Sequence, residues 1–255
     1  MSFIVGIDGP AGSGKGTVTK KIANILNLTT IDTGSTYRCV ALEVLNQKID
    51  TTNIVGLHTM QPLQIPQNDE NMKLKNEIIK IAGEIKIEIK NDNKIDRVFL
   101  NGEEVTEKIR SKEVTAIVSP ISSITEVRIK MVELQRKLAE GKNIIMEGRD
   151  ICTYVFPNAD VKIYLDATIE ERATRRYKEN QEKGIDTTYE EVVENITSRD
   201  YNDMHKEIGS LKQAEGSIYV DSTGLTADEV VEKIVNIIRR GGFPYPPKSQ
   251  QKGDF

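Results

Sequence analysis

The sequence contains no tryptophan, and only 5% of its 255 residues are aromatic. Its two cysteines, Cys39 and Cys152, are far apart and outside any metal-ligand spacing, so neither a disulfide framework nor a zinc site is supported. No apolar run approaches the roughly 18 to 20 residues that span a bilayer, and the N-terminus lacks the basic start of a signal peptide. We therefore expect a cytoplasmic protein with reduced thiols and no membrane segment.

The chain also lacks a strong excess of basic or of acidic residues. The chain has 35 basic and 39 acidic residues, which give a formal net charge of -4. This balance argues against broad binding to a nucleic-acid polymer or an anionic membrane, so any anionic ligand must meet a local basic patch. With 38% hydrophobic residues, the composition is that of an ordinary globular protein, and the length fits one large α/β core with an insertion.

Short β-branched runs alternate with segments of helical period along most of the chain. This alternation predicts an α/β fold in which about five parallel strands are flanked by helices. The predicted strands cover residues 3–7, 28–31, 143–146, 161–165 and 217–220.

Three helices can be described in some detail from the sequence. The first lies between the first two strands and should bury one face, formed by Val18, Ile22, Ile25 and Leu26. Two later helices are predicted to begin with capping boxes, in which a threonine hydroxyl and a glutamate three residues on satisfy exposed backbone donors. These pairs are Thr168 with Glu171, and Thr226 with Glu229.

Residues 84–105 break the α/β alternation. Isoleucines at period two, a second apolar run over residues 95–100 and the tight-turn pair Asn101-Gly102 predict an antiparallel meander of two or three strands. Such strands cannot join a parallel sheet without a crossover, so we place them in an inserted subdomain over residues 62–105. The core would then comprise residues 1–61 and 106–240. The proline-rich tail, residues 241–255, is expected to be disordered.

A glycine-rich segment follows the first strand and opens the first helix, which is the context of a phosphate-binding loop. In such loops the backbone N–H groups point at phosphate oxygens, the helix N-terminus adds partial positive charge, and a lysine reaches the outer phosphates. A turn that binds nothing would not combine this length, this lysine and these flanks. The predicted ATP-binding residues are Gly9, Pro10, Ala11, Gly12, Ser13, Gly14, Lys15, Gly16 and Thr17.

The end of this loop favours a kinase of small molecules over a regulatory GTPase. Lys15 is followed by Gly16, and the hydroxyl is delayed to Thr17. A GTPase also needs an Asp-x-x-Gly string followed later by Asn-Lys-x-Asp, whereas here the two strings occur in the reverse order, at residues 221–224 and 93–96. We interpret the second string as a chance occurrence.

Four further segments carry a more specific signal. They are Ile31 to Arg38, Val127-Arg128 with Gln135-Arg136, Gly148-Arg149-Asp150 leading to Pro157, and Arg199-Asp200 with Asp203. With the phosphate loop, they resemble the bacterial cytidylate kinase family over about residues 3–238. The resemblance implies the P-loop NTPase fold and transfer of the γ-phosphoryl group from ATP, with Mg²⁺, to CMP or dCMP.

The resemblance also implies roles for individual residues. Guanidinium groups pair well with phosphate oxygens, and Arg38, Arg149 and Arg199 would gather on the acceptor phosphate and sugar, with Asp203 on the ribose hydroxyl. Ser119, Arg128 and Asp150 would read cytosine. Thr33 keeps a hydroxyl where the family often has serine, and Lys206 stands where the family usually has arginine. The predicted CMP-binding residues are thus Thr33, Arg38, Ser119, Arg128, Arg149, Asp150, Arg199, Asp203 and Lys206.

A basic helix and one acidic residue complete the predicted site. Arg172, Arg175 and Arg176 share a helical face that would either face water or belong to a mobile lid, over about residues 168–188, that closes on ATP. In the lid interpretation these arginines act with Lys15 and Arg149 in catalysis. Glu147, at the end of an apolar strand, would either hold magnesium through water or form an ion pair.

Two alternative functions remain open from the sequence. The first is a kinase of another small acceptor, such as UMP, AMP or shikimate. The second is a nucleotide-dependent switch with no acceptor, which would consume ATP independently of any monophosphate. In all of these cases we expect a monomer.

Overall fold

The computed structural model describes residues 2–51, 69–92 and 95–243. In these ranges the strands are β1 Ile4–Asp8, β2 Thr29–Asp32, β3 Ile87–Asp92, β4 Ile95–Leu100, β5 Glu103–Glu104, β6 Ile144–Gly148, β7 Val161–Asp166 and β8 Ile218–Asp221. The helices are α1 Lys15–Leu26, α2 Thr33–Asn46, α3 Asp69–Glu84, α4 Lys112–Ser123, α5 Thr125–Ala139, α6 Ile169–Glu182, α7 Tyr189–Met204 and α8 Ala227–Arg240. A short 3₁₀ turn, Lys108–Arg110, and a π-helical turn, Ile151–Val155, complete the elements.

The central sheet has five strands in the order β2-β6-β1-β7-β8, and every pairing within it is parallel. This confirms the predicted α/β fold, and each strand lies within two residues of its predicted limits. Because the strands are parallel, their carboxyl ends meet at one edge, where Asp8 pairs in register with Gly148 and Asp32 pairs with Glu147. The phosphate loop leaves the sheet at this edge.

One face of the sheet packs against α1 and α8. Val18, Ile22 and Leu26 of α1 are buried there, as predicted. The prediction was wrong for Ile25, which is 51% exposed. The buried stripe follows a spacing of four, and Ala23 takes the remaining inward position, so Ile25 falls on the solvent side of α1.

The predicted meander is present and has three strands. β3 pairs with β4 and β4 with β5, both antiparallel, and the loop between the last two strands is Asn101-Gly102. Both residues of this loop have positive φ, 52° and 88°, as a tight two-residue hairpin requires.

The meander shares an apolar cluster with helices on both sides of the predicted insertion. Buried residues of α2, α3, α4 and α5 join Ile87, Val98 and Leu100 in this cluster. Helix α3 was not predicted from the sequence. Residues 62–68 lie outside the described residues, so the boundary at residue 62 stays a prediction.

Of the two predicted capping boxes, one is complete and the other forms only in part. Thr226 and Glu229 form a complete capping box. At α6 only half of the capping box forms. The Thr168 hydroxyl accepts from the backbone N–H of Glu171, but the Glu171 carboxylate accepts from Arg175 Nε at 2.9 Å instead of from the backbone N–H of Thr168. A second complete box, Thr188 with Glu191, opens α7 and was not predicted.

The last described residue, Phe243, lies close to the N-terminal end of the described chain. Phe243 packs edge-on against Phe3, with ring centroids 5.0 Å apart. Residues 244–255, for which disorder is predicted, lie outside the described residues, as do Asn93 and Lys94 of the GTPase-like string. Within the three described ranges, no helix has the length and apolar character needed to cross a bilayer. Cys39 and Cys152 are buried and free.

Candidate active site

The phosphate loop spans the gap between the end of β1 and the start of α1. Lys15 is the first residue of α1, and its ammonium donates to the carbonyl oxygens of Gly9 at 2.8 Å and Pro10 at 2.7 Å. It also donates to Ser13 Oγ at 3.1 Å, and that hydroxyl in turn donates to the Pro10 carbonyl. The lysine side chain therefore lies inside the curve of the loop.

The surroundings of Lys15 are rich in charge. Burial, followed by repulsion from Arg149 and Arg199, holds the pKa of Lys15 well below its usual value, against the attraction of Glu147 and Asp8. A buried cation that is repelled by two others gains stability when an anion enters among them. The geometry thus suits a multiply charged phosphate.

Glu147 lies directly beside the loop. A Cβ on Gly16 would come within 3.0 Å of Glu147 Oε1, so the glycine after Lys15 leaves the space that this carboxylate uses. Burial raises the pKa of Glu147, while Lys15 opposes that shift. Glu147 contributes to a cavity of about 250 Å³ that is lined by Gly16, Thr17, Thr19, Lys20, Thr30, Ile31, Asp32, Arg110 and Glu147.

This cavity suits a hydrated magnesium ion better than a directly ligated one. Asp32 and Glu147 face each other across the β2–β6 pair. Among the described residues, no group of three or more His, Cys, Asp or Glu is arranged to hold a metal. Mg²⁺ usually keeps several waters and needs few protein oxygens, so two carboxylates beside the loop fit it.

A second cluster of charges surrounds Asp203 on α7. Arg149 Nε donates to Asp203 Oδ2 at 2.8 Å, and Lys206 Nζ donates to Oδ1 at 2.8 Å. Burial by itself raises the pKa of Asp203, but Lys206, Arg149 and Arg199 together hold it well below its usual value. Repulsion from Arg149 lowers the pKa of Arg199 to about 10, although the Arg199 side chain is 50% exposed. One carboxylate therefore lies among three cations.

The predicted base-reading residues lie together in a third group. Arg128 forms a short ion pair with Asp150 and also donates to the Ser122 carbonyl at 3.1 Å. Its guanidinium lies 5.5 Å from the centre of the Tyr37 ring, and burial raises the pKa of Tyr37 to about 12. The side chains of Arg128 and Asp150 are almost fully buried and bind each other.

Ser119, Thr33 and Arg38 border these groups. Ser119 lies one turn before Ser122 on α4, at the end of the helix that faces Arg128. Thr33 donates through Oγ1 to the Glu147 carbonyl at 2.9 Å. Arg38 Nη1 donates to Thr115 Oγ1 at 2.9 Å and to the Ile109 carbonyl at 3.0 Å.

Similarity to known proteins identifies the family of this chain. A family model described as "Cytidylate kinase" matches residues 5–240. The chain belongs to the cytidylate kinase family. A cytidylate kinase of Caldanaerobacter subterraneus subsp. tengcongensis is 43% identical over 94% of this chain and 96% of its own length. One of Leuconostoc mesenteroides is 44% identical over 93% and 96%.

Membership in the cytidylate kinase family confirms two predictions, the resemblance itself and the activity. The chain is a phosphotransferase of the (d)CMP kinase type, and ATP as the donor is what the family implies. A solved structure of an uncharacterized protein from Eubacterium ventriosum covers 93% of this chain, but with a TM-score of 0.47 at 11% identity it adds nothing to the assignment.

The structure of this cytidylate kinase does not bring the three predicted lid arginines together. Arg172 is buried, and its guanidinium donates to the carbonyl oxygen of Ala11 in the phosphate loop. Arg175 donates to the carbonyl oxygens that follow β8, including that of Ser222 at 2.6 Å. Arg176, whose side chain is 39% exposed, donates to Glu179 at 2.9 Å. Contact of these arginines with ATP stays a prediction.

Three residues that position the site were not singled out by sequence reasoning. Asp8 accepts from the backbone N–H groups of Ile151 and Cys152, and its burial raises its pKa to about 6. Asp200 contacts the phosphate loop, and a Cβ on Gly209 would meet the Arg128–Asp150 pair. Asp200 has a sequence signal, because it directly follows Arg199 in the family motif. Gly209 has none.

Proposed function

We propose that this kinase joins ATP and CMP or dCMP in the space between the phosphate loop and the Asp203 cluster. The observation that carries the proposal is the placement of Arg149 and Arg199 at 2.8 Å and 4.0 Å from Asp203 Oδ2. Both arginines are close enough to Lys15 to lower its pKa further, after burial, and repulsion from Arg149 lowers the pKa of Arg199. Like charges are held this close at a cost in free energy, and that cost is recovered when phosphate groups bind between them. Phosphoryl transfer needs this kind of fixed positive charge around the migrating group.

We assign roles to the residues according to their positions. Lys15 and the loop amides hold the outer phosphates of ATP. Arg149 and Arg199 bind the acceptor phosphate, and Asp203 fixes the orientation of Arg149 through its hydrogen bond. Arg38, at the side of α2, completes the acceptor-phosphate site. After Arg149, the charge of Arg38 also contributes to the lowered pKa of Arg199. Arg38 and Arg199 could therefore bind the same phosphate group.

The base is assigned to the pocket formed by Arg128 and Asp150. Cytosine offers an amine as donor and a ring nitrogen and carbonyl as acceptors, so a carboxylate and a guanidinium side by side complement its edge. Ser119 and Thr33 supply hydroxyl groups at the border of the site. Lys206 stabilises the Asp203 carboxylate, which we assign to the ribose hydroxyl.

Magnesium is assigned to the cavity beside Gly16, held through water by Glu147. A bound Mg²⁺ would neutralise part of the charge on the ATP phosphates. We further propose that Arg175 and Arg176 close over ATP as part of a lid, and that the protein acts as a cytoplasmic monomer.

Product analysis by ³¹P NMR tests the reaction and its metal requirement together. With ATP, CMP and Mg²⁺ we expect ADP and CDP to appear at equal rates. With excess EDTA we expect no CDP. ADP formed together with inorganic phosphate, at a rate that does not depend on CMP, would support the alternative of a nucleotide-dependent switch. Undiminished CDP formation in EDTA would contradict the metal assignment.

The Lys206→Arg substitution should strengthen acceptor binding. Lys206 Nζ donates to Asp203 Oδ1 at 2.8 Å and to Ser122 Oγ at 3.4 Å, so its point charge already has two partners. An arginine keeps that charge and adds donors in a planar fork that suits phosphate. We expect the KM for CMP to fall about threefold or more, with the KM for ATP unchanged. Lys212→Arg, at an exposed position on the same segment, is the control. An unchanged KM for CMP in Lys206→Arg would show the interpretation to be wrong.

A further inference from the structure

The buried ion pair between Asp200 and Arg172 binds the backbone of the phosphate loop at Ala11. The Ala11 N–H donates to Asp200 Oδ1 at 2.9 Å, and the Ala11 carbonyl accepts from Arg172 Nη1 at 2.8 Å. Arg172 Nη1 also donates to Asp200 Oδ2 at 2.5 Å. Both hydrogen-bonding groups of one loop residue are therefore bound by two side chains that also bind each other.

The fit between Arg172 and the loop is tight. A Cβ on Gly12 would come within 3.1 Å of both the Cβ and the carbonyl oxygen of Arg172. Arg172 Nε donates to the Ala167 carbonyl at 3.0 Å, which fixes the guanidinium from its other side. The side chains of Arg172 and Asp200 are only 6% and 10% exposed. The pair is thus buried and has no room to rearrange without moving the loop.

We propose that Asp200 is a positioning residue that, through Arg172 and the Ala11 amide, sets the loop in the conformation that binds ATP. The inference rests on the proposed function only in taking ATP as the ligand of the loop. Phosphate recognition by backbone amides requires the loop to be ordered before the ligand arrives, because ordering it on binding would lower the affinity. Asp200 and Arg172 supply that order without touching the nucleotide.

This placement also changes the role of Arg172. A guanidinium bound to Asp200, Ala11 and Ala167 is part of the support of the loop rather than of a lid. Because Arg172 lies on α6, which belongs to the predicted lid, and Asp200 lies on α7, the same ion pair joins both helices to the loop. Movement of α6 and α7 would therefore be transmitted to the ATP site.

The experiment compares Asp200→Asn and Asp200→Ala with the wild-type protein in ligand binding without turnover. The dissociation constants of ADP and of CMP are each measured by calorimetry, and exchange of the Ala11 amide is followed by hydrogen exchange. We expect Asp200→Ala to weaken ADP binding about tenfold or more, since a hydrogen bond to a charged group is lost. The CMP dissociation constant should change less than twofold, and the Ala11 amide should exchange faster.

Asp200→Asn is the conservative variant. Its amide oxygen can still accept from Ala11 N–H, although it cannot pair with the charge of Arg172, so we expect an intermediate loss of ADP affinity. Asp160→Asn is the matched control, because Asp160 accepts from the Ile4 N–H at the opposite end of β1, at 2.8 Å. It should leave ADP binding and Ala11 exchange unchanged.

Two results would overturn the proposal. One is a fall in melting temperature for Asp200→Asn with ADP affinity and Ala11 exchange unchanged, which would make the ion pair purely structural. The other is an equal loss of ADP and CMP binding, which would indicate general damage. Since ADP binding and Ala11 exchange require no turnover, failure of the wild-type protein to phosphorylate CMP would refute the proposed function and leave these two readouts intact.

Discussion

Lys15→Ala should abolish phosphoryl transfer while the protein stays folded. The ammonium of Lys15 lies inside the phosphate loop, where burial and then repulsion from Arg149 and Arg199 hold its pKa well below the usual value. Removing a charge that is aimed at the migrating group costs a factor of at least about 100 in kcat. Circular dichroism should show a normal fold, because the substitution removes a buried charge whose burial is itself unfavourable.

Lys21→Ala is the control for this experiment. Lys21 lies on the same helix but forms an exposed ion pair with Asp228 at 2.7 Å, which contributes little to stability. We expect its kcat and melting temperature to match those of the wild-type protein. A Lys15→Ala protein that turns over at the wild-type rate would refute the role given to the loop.

Gly209→Ala should disable the base pocket without harming the ATP site. Gly209 has a φ of 65°, and a Cβ there would lie 2.1 Å from Asp150 Oδ2 and 2.3 Å from Arg128 Nη2. The new methyl group must push apart the buried ion pair assigned to cytosine. We expect the KM for CMP to rise about tenfold or more and stability to fall by about 1–3 kcal/mol, while the KM for ATP stays within twofold.

Gly216→Ala separates the steric effect from backbone strain. Gly216 has a similar φ of 72°, but a Cβ there has no heavy atom within 4 Å. Both variants place alanine in the left-handed region, so both should lose about 1 kcal/mol of stability from that cause. Only Gly209→Ala should lose CMP affinity. Equal kinetics in the two variants would contradict the base-pocket assignment.

The sheet was predictable because local signals agree with the global fold. Each core strand is a short β-branched run, and the loop between β1 and α1 has a length and glycine pattern that few other structures require. The antiparallel hairpin was also predictable, since Asn101-Gly102 favours positive φ at both positions. The exposure of Ile25 was not, because helical periodicity does not tell how wide a stripe the neighbouring elements cover.

The members of the candidate site were named from the sequence and their roles stay predictions, whereas their hydrogen-bond partners became visible only in the structure. The motif around Arg199 identifies Asp203, but only the fold shows that Arg149 and Lys206 both bind this carboxylate. Sequence spacing placed Arg172 beside Arg175 and Arg176 on one basic face. In the structure Arg172 is buried against Ala11, since Asp200, 28 residues away, supplies a partner that spacing along one helix does not reveal.

The central claim is that the acceptor is a cytidine monophosphate, and a panel of acceptors tests it most directly. The rate of ADP formation would be measured in a coupled assay with CMP, dCMP, UMP, AMP and shikimate, each over a range of concentrations. We expect kcat/KM to be highest for CMP or dCMP, at least about tenfold above AMP and shikimate, because the Arg128–Asp150 pair, which we assign to the base, would complement the cytosine edge. A protein that phosphorylates AMP or shikimate well and CMP poorly would contradict the assignment.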